Sequence, residues 1–215
     1  MPDMQSALNV LSYSASDDPG WLLVALHGWG ANAQDLLGLA PYLKLPGFTM
    51  RFPDAPFPHP QVPGGRMWYS FPYGYDFRSP PDFQQQSDLQ QSRQQLRNWI
   101  ESLPESTGIP LERTVMAGFS QGGAMTLDVG TELPLAGQII LSGYLHGELP
   151  SAPTPRPMLV VHGSYDPVVP VALAQQTQTQ LRGVGLAPKY VEMPMGHEIM
   201  PEVIQKIIGF CEDLA

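Results

Sequence analysis

Thr114-Val115-Met116-Ala117-Gly118-Phe119-Ser120-Gln121-Gly122-Gly123-Ala124-Met125 is the stretch on which the reading of the fold turns. A short apolar run led by β-branched Thr114 and Val115 enters Gly-x-Ser-x-Gly, and a helix-compatible run, Gly123 to Asp128, follows at once. Strand, Gly-x-Ser-x-Gly and helix, in that order, make the context of a nucleophile elbow. The turn is so sharp that residues two before and two after the serine crowd one another, and Gly118 and Gly122 leave the room. Ser120 is then expected at the tip of a strand and the mouth of a helix, whose unpaired N–H groups and positive dipole end face the same spot. Gly-x-Ser-x-Gly also occurs in plain surface turns, so its meaning depends on partners elsewhere in the chain.

On either side of the elbow, strand-like and helix-like segments alternate. Ala7 to Tyr13 alternates apolar and polar residues as an edge strand does, whereas Trp21 to Leu26 is continuously apolar, as a central strand covered on both faces should be. A helical stretch is expected around Asp35 to Leu43, and a third strand over Phe48 to Phe52, stopped by Pro53. Pro53 to Phe83 is crowded with proline and aromatic residues and has little helical periodicity. Order returns at Asp82, where Leu89, Leu96, Trp99, Ile100 and Leu103 recur at helical spacing until Pro104 ends the helix. Further strands are expected at Gly137 to Ser142, Pro157 to Gly163 and Lys189 to Met193. Helices follow from Pro170 to Gly183 and from Pro201 to Leu214. The alternation predicts an α/β fold with a mostly parallel central sheet and helices on both faces. No repeat or linker divides residues 1–215, so one domain is expected, with 53–83 as a segment within it.

Composition narrows the function. A chain of 215 residues with 43% hydrophobic content can bury a sizeable core. Its net charge of -9 argues against nucleic acid and against anionic membrane surfaces. The single cysteine excludes an internal disulfide and cysteine-rich metal sites, and Cys211 falls on the apolar side of the last helix, as a small core residue would. Residues 1 to 10 lack the features of a signal peptide, and no apolar run approaches membrane-spanning length, so a cytoplasmic location is expected.

A serine hydroxyl is a poor nucleophile until a base takes its proton, and the base needs a third group to hold its tautomer. After an elbow the acid and the histidine follow the serine in chain order, and active groups lie just past the carboxyl ends of strands. His197 fits: it follows the last strand in Met193-Pro194-Met195-Gly196-His197-Glu198 and precedes the final helix. His27 and His162 each sit between a strand and a glycine, where turn packing is the expected role. His59 precedes the serine, and His146 is the weaker alternative. For the carboxylate, Asp166 lies in the loop after the penultimate strand, with Pro167 fixing the backbone beyond it. Its other reading is a cap for the Pro170 helix. Glu192 lies within a strand and Asp128 within a helix, and neither is well placed. Two N–H groups must meet the developing oxyanion. Gln121, after the nucleophile, supplies one, and the Gly28-Trp29-Gly30 loop supplies the other.

Several separated segments together resemble one family: Leu26-His27-Gly28-Trp29-Gly30, Gly118-Phe119-Ser120-Gln121-Gly122-Gly123, Leu141-Ser142-Gly143-Tyr144, His162-Gly163 through Asp166-Pro167-Val168-Val169-Pro170, and Gly196-His197-Glu198. They look like the phospholipase/carboxylesterase family of small α/β-hydrolases, which includes bacterial carboxylesterases and acyl-protein thioesterases. The resemblance covers nearly the whole chain in the right order. It implies an α/β-hydrolase fold and a serine hydrolase of carboxylic esters, with no metal and no cofactor. Ser120 becomes nucleophile, His197 base, Asp166 its orienter, and the main-chain N–H groups of Trp29 and Gln121 the oxyanion hole. Trp68, Tyr69, Phe71 and Val169 are the implied substrate-binding residues. The implied partner is a small-molecule ester, with room for a homodimer, no nucleic acid and no stable membrane insertion.

Two departures from the family pattern fall where substrate is expected. Trp29 and Ala31-Asn32 stand where relatives often carry a leucine and an acidic residue, and Trp68-Tyr69-Ser70 stands in place of Trp-Phe-Asp. They point to a general esterase, with preference for short acyl chains, ahead of a lysophospholipase or acyl-protein thioesterase. A binding protein on the same scaffold is the reading from another class. The aromatic residues of 53–83 either wall the pocket or pack on themselves as a surface loop.

Overall fold

Continuous apolar runs need cover on both faces, and in the computed structural model of the chain they find it as parallel strands of one sheet. Residues 8–77, 83, 85–149 and 155–215 are described. In chain order the elements are β1 (Val10–Ser14), β2 (Trp21–Leu26), α1 (Ala33–Leu37), β3 (Phe48–Pro53), β4 (Phe57–Pro58), β5 (Arg66–Met67), α2 (Ser87–Thr107), β6 (Thr114–Phe119), α3 (Gln121–Gly130), β7 (Gly137–Leu141), β8 (Met158–Gly163), α4 (Val171–Gly183), β9 (Lys189–Met193) and α5 (Pro201–Glu212). The main sheet is 7-stranded, in the order β1-β3-β2-β6-β7-β8-β9. β1 is antiparallel to β3 at one edge, and all other neighbours are parallel.

Side chains alternate across this sheet, so each strand feeds two cores. Leu22, Val24 and Met116 pack with Leu89 and Leu96 of α2 and Met125 of α3. Their neighbours Leu23 and Val115 pack on the other face with Val203, Ile207 and the buried Cys211 of α5. The register pairs Leu26 with Gly118, Phe119 with Leu141, Leu141 with Val161, and Gly163 with Met193. Strand ends are thereby level along one rim, and the loops that follow β2, β6, β8 and β9 gather there.

Two expectations need correction. The helix over Asp35 to Leu43 divides into α1 and a 3₁₀ turn at Ala40–Tyr42, because Pro41 has no N–H with which to continue the ladder. The helix expected to end at Pro104 runs through it to Thr107 and stops at Gly108, which adopts φ 73 and donates its N–H to Pro104 O at 3.0 Å. Its start is Ser87, and the expected start at Asp82 lies outside the described residues. Within 53–83, β4 and β5 form a small ribbon, and residues 78–82 are outside the described part. Among the described residues, no helix is long and apolar enough to cross a membrane.

Candidate active site

The elbow is as tight as its glycines require. A Cβ on Gly118 would sit 2.1 Å from Gly122 O, and one on Gly122 would sit 2.3 Å from Leu26 O. Ser120 between them has φ 55 and ψ -118, a conformation that costs on the order of 1–3 kcal/mol for a residue with a side chain. The strain is held by backbone bonds on both sides: Ser120 N–H donates to Leu141 O at 2.8 Å, and Ala124 N–H donates to Ser120 O at 3.0 Å. α3 begins at the next residue, so its first N–H groups open beside the serine.

His197 and Asp166 come from different loops of the rim and meet. His197 Nδ1 lies 2.7 Å from Asp166 Oδ2, which fixes the proton on Nδ1 and leaves Nε2 free to accept. The His197 ring packs on Phe119, the residue before the serine, with ring centroids 4.8 Å apart. Asp166 Oδ1 accepts from Val168 N–H at 2.9 Å and Val169 N–H at 2.8 Å. The carboxylate therefore braces its own loop while it faces the imidazole, and it does not cap α4, whose N-cap is Pro170 without a side-chain bond. Burial would raise the Asp166 pKa, but the His197 hydrogen bond and charge and the two backbone N–H groups outweigh it and hold it below the usual 3.8.

The sign of that shift fixes a pH dependence. With the folded-state value below the unfolded one, the stabilisation is full above 3.8 and fades as pH falls through the folded value. The stability difference between wild type and Asp166→Asn in urea should thus be constant at neutral pH and shrink below 3.8. A difference that stays constant or grows in acid would contradict the pairing.

The other histidines have structural posts. His27 is buried, with Nδ1–H donating to Gly28 O at 2.8 Å and Nε2 accepting from Ala55 N–H at 3.0 Å. His162 Nε2–H donates to Val169 O at 2.8 Å and stands 3.5 Å from Asp166 Oδ2. Burial lowers the pKa of both, so they stay neutral within the rim. His59 Nδ1 accepts from Gln61 and Val62 N–H groups. His146 is buried and pairs with Asp128 at 2.7 Å and with Tyr69 Oη at 2.7 Å.

Trp29 and Gln121 bring their N–H groups to this rim. A Cβ on Gly28 would lie 3.3 Å from Ser120 Cβ, so the loop after β2 touches the elbow. Gly30 and Ala31 spend their N–H groups on Arg66 O and Gly28 O, whereas those of Trp29 and Gln121 have no acceptor among the described residues. The Trp29 indole, 42% exposed, stands edge-on to His59 and Phe71 at centroid distances of 4.1 and 5.6 Å.

Of the expected substrate-binding residues, only Phe71 keeps exposed surface. Trp68, Tyr69 and Val169 are fully buried and do not line an open pocket. The reason is chemical: the ring tips of Trp68 and Tyr69 have acceptors and donors inside the core, so both rings can be buried whole. Val169 serves through its backbone, between Asp166 and His162.

A family model described as phospholipase/carboxylesterase matches residues 12–214. The chain belongs to this family. It is 30% identical over 168 residues to acyl-protein thioesterase 1 homolog 1 of Dictyostelium discoideum, covering 74% of this chain and 73% of that one. Acyl-protein thioesterase 1 of Neurospora crassa is 40% identical over 115 residues, a match spanning 48% of this chain and 47% of the relative, about half its length. Among solved structures, esterase PE8 superposes with a TM-score of 0.85 and 25% identity, covering 97% of this chain and 99% of that one. As a member of the phospholipase/carboxylesterase family the chain is a hydrolase with the α/β-hydrolase fold.

Within that family, one departure in the first loop has a local cause. Asn32 is the N-cap of α1, its side chain accepting from Gln34 and Asp35 N–H groups while Asp35 accepts from Asn32 N–H. At Trp68-Tyr69-Ser70, Ser70 donates its N–H and hydroxyl to Asp88 Oδ2, at 2.7 and 2.5 Å. A carboxylate is thus present at this corner, supplied from α2.

Proposed function

We propose that this chain is a serine carboxylesterase that hydrolyses small carboxylic esters through an acyl-enzyme on Ser120. The observation that supports this most is the 2.7 Å contact of His197 Nδ1 with Asp166 Oδ2, made beside the strained Ser120 elbow. Ser120 Oγ attacks the ester carbonyl as His197 Nε2 takes its proton, and the carbonyl oxygen gains negative charge opposite the N–H groups of Trp29 and Gln121. Collapse breaks the C–O bond, and the alcohol leaves with the proton from His197. Water then attacks the acyl-enzyme, gives its proton to His197, and the acid leaves as Ser120 recovers its own. Asp166 keeps the imidazole in the accepting tautomer throughout. The partner is a small-molecule ester met in the cytoplasm, and the net charge of -9 offers nucleic acid no attraction.

Thioesters are the second reading, favoured by the names of the relatives. The experiment that separates the two compares p-nitrophenyl esters from acetate to decanoate with matched thioesters, with and without EDTA. The proposal expects the esters to be cleaved with higher kcat/KM than the thioesters and EDTA to have no effect. Absence of ester turnover, or loss in EDTA restored by a divalent metal, would overturn it.

Trp29 should set acyl preference. Its indole, against Phe71 and His59, is bulkier than leucine and should narrow the mouth beside Ser120, favouring short acyl chains. Trp29→Leu should move the kcat/KM profile towards longer esters. The backbone donor survives the change, so kcat on the best short ester should fall far less than the ~10²–10³-fold of a lost oxyanion donor. An unchanged profile would mean that the indole points away from the acyl group.

A further inference from the structure

The two N–H groups assigned to the oxyanion belong to different loops, one after β2 and one after β6. Strand register sets those loops level, but convergence on one oxygen needs finer control. A displacement of about 1 Å at such a site can cost on the order of 10²-fold in rate. One buried residue is hydrogen-bonded to both loops.

That residue is Trp68. Its indole Nε1–H donates to His27 O at 3.0 Å, immediately before Gly28-Trp29. Its backbone N–H donates to Gln121 Oε1 at 2.9 Å, the side chain of the second oxyanion residue. Gln121 Nε2 closes the loop by donating to Tyr69 O at 2.7 Å, so its amide is held at both ends by residues 68 and 69. The Trp68 ring also lies against the His27 imidazole at 5.7 Å, and Trp68 O accepts from the Ser92 hydroxyl. Trp68 and Gln121 are both fully buried.

The far side of the link is fixed as well. Tyr69 Oη is 2.5 Å from Tyr144 Oη and 2.7 Å from His146 Nε2, and His146 Nδ1 meets Asp128, which Arg93 also binds. The Gln121 amide pairs the buried Trp68 N–H and Tyr69 O, so an apolar side chain at 121 would leave a buried donor and a buried acceptor unpaired. The amide here sets distance and direction.

We propose that Trp68 is a positioning residue: with the Gln121 side chain it clasps the two oxyanion loops together so that the Trp29 and Gln121 N–H groups converge on one oxygen. It touches no substrate. The proposal rests on the acyl-enzyme reading given above.

Trp68→Phe removes the indole donor and keeps an aromatic ring, while Gln121→Met removes the amide and keeps the backbone N–H. The measurements are kcat and KM on the best ester, affinity for an alkyl trifluoromethyl ketone, thermal midpoint, and fluorophosphonate labelling of Ser120. The ketone forms a tetrahedral adduct whose oxyanion occupies the hole. Each variant should lose roughly 10- to 100-fold in kcat, keep KM within about threefold, and lose ketone affinity by a similar factor. Both should still label Ser120 to full stoichiometry. The double variant should be little worse than the weaker single, since both cut one link. Trp99→Phe, on α2 away from the elbow, should move the thermal midpoint without the kcat and ketone losses.

A folded Trp68→Phe with wild-type kcat, or one that loses kcat while ketone affinity is unchanged, would overturn the clasp. Should Trp68→Phe not fold, Gln121→Met carries the same test with the same two outcomes. Wild-type protein that does not label on Ser120 would instead overturn the acyl-enzyme reading beneath it.

Discussion

Replacing Ser120 with alanine should lower kcat for ester hydrolysis on the order of 10⁶-fold while the fold survives. The magnitude follows from what the hydroxyl does: without it no acyl-enzyme forms, and the base has no proton to move towards the substrate. Only binding and the two N–H groups remain to polarise the carbonyl for bulk water. The fold should tolerate the change because the elbow is held by its backbone bonds to Leu141 and Ala124 and by the clearance at Gly118 and Gly122. Alanine keeps the same φ 55 strain and adds no atom. The check is steady-state hydrolysis of the best ester, with the thermal midpoint measured beside it. Turnover within tenfold of wild type would remove Ser120 as nucleophile.

Asp166→Asn should cost roughly 10⁴-fold in kcat. An amide can donate to His197 Nδ1, which shifts the proton to Nε2 and takes away the lone pair that must receive the serine proton. Its effect on KM should be small, because Asp166 is buried behind the histidine and binds Val168 and Val169 rather than substrate. Asp128→Asn is the comparison. Asp128 also holds a histidine at 2.7 Å, but that histidine turns its other nitrogen to Tyr69 Oη and reaches the elbow only through the Tyr69 backbone bond to Gln121. Burial would raise the Asp128 pKa, but His146 and Arg93 outweigh it and keep it below 3.8, so its loss should act mainly on stability. If Asp128→Asn proved the more damaging to kcat and Asp166→Asn mild, the acid would be misassigned.

The elbow and the loop after β2 were legible because each is a local event, an apolar strand running into glycine or histidine, and the loop before α5 because a histidine stands between the last strand and the last helix. Chain order alone then brought Asp166 and His197 to the same rim, and the structure joins them. The burial of Trp68 and Tyr69 was not legible. A tryptophan and a tyrosine in a proline-rich segment carry no period, and their partners lie 41 and 75 positions away. Pro104 misled for a related reason. Proline weakens a helix at its own position, but the stop is set by the left-handed Gly108 four residues on. The His146 pair with Asp128 was hidden because a carboxylate on a helix interior reads as a solvated face until its neighbours in space are known.

The most direct test of the account is the mass of the chain after reaction with a fluorophosphonate, with the site of the adduct mapped by peptide sequencing. One adduct per chain on Ser120 is expected, forming in step with loss of esterase activity and much more slowly in His197→Ala. An adduct on another residue, or full activity in a chain whose Ser120 is blocked, would contradict it.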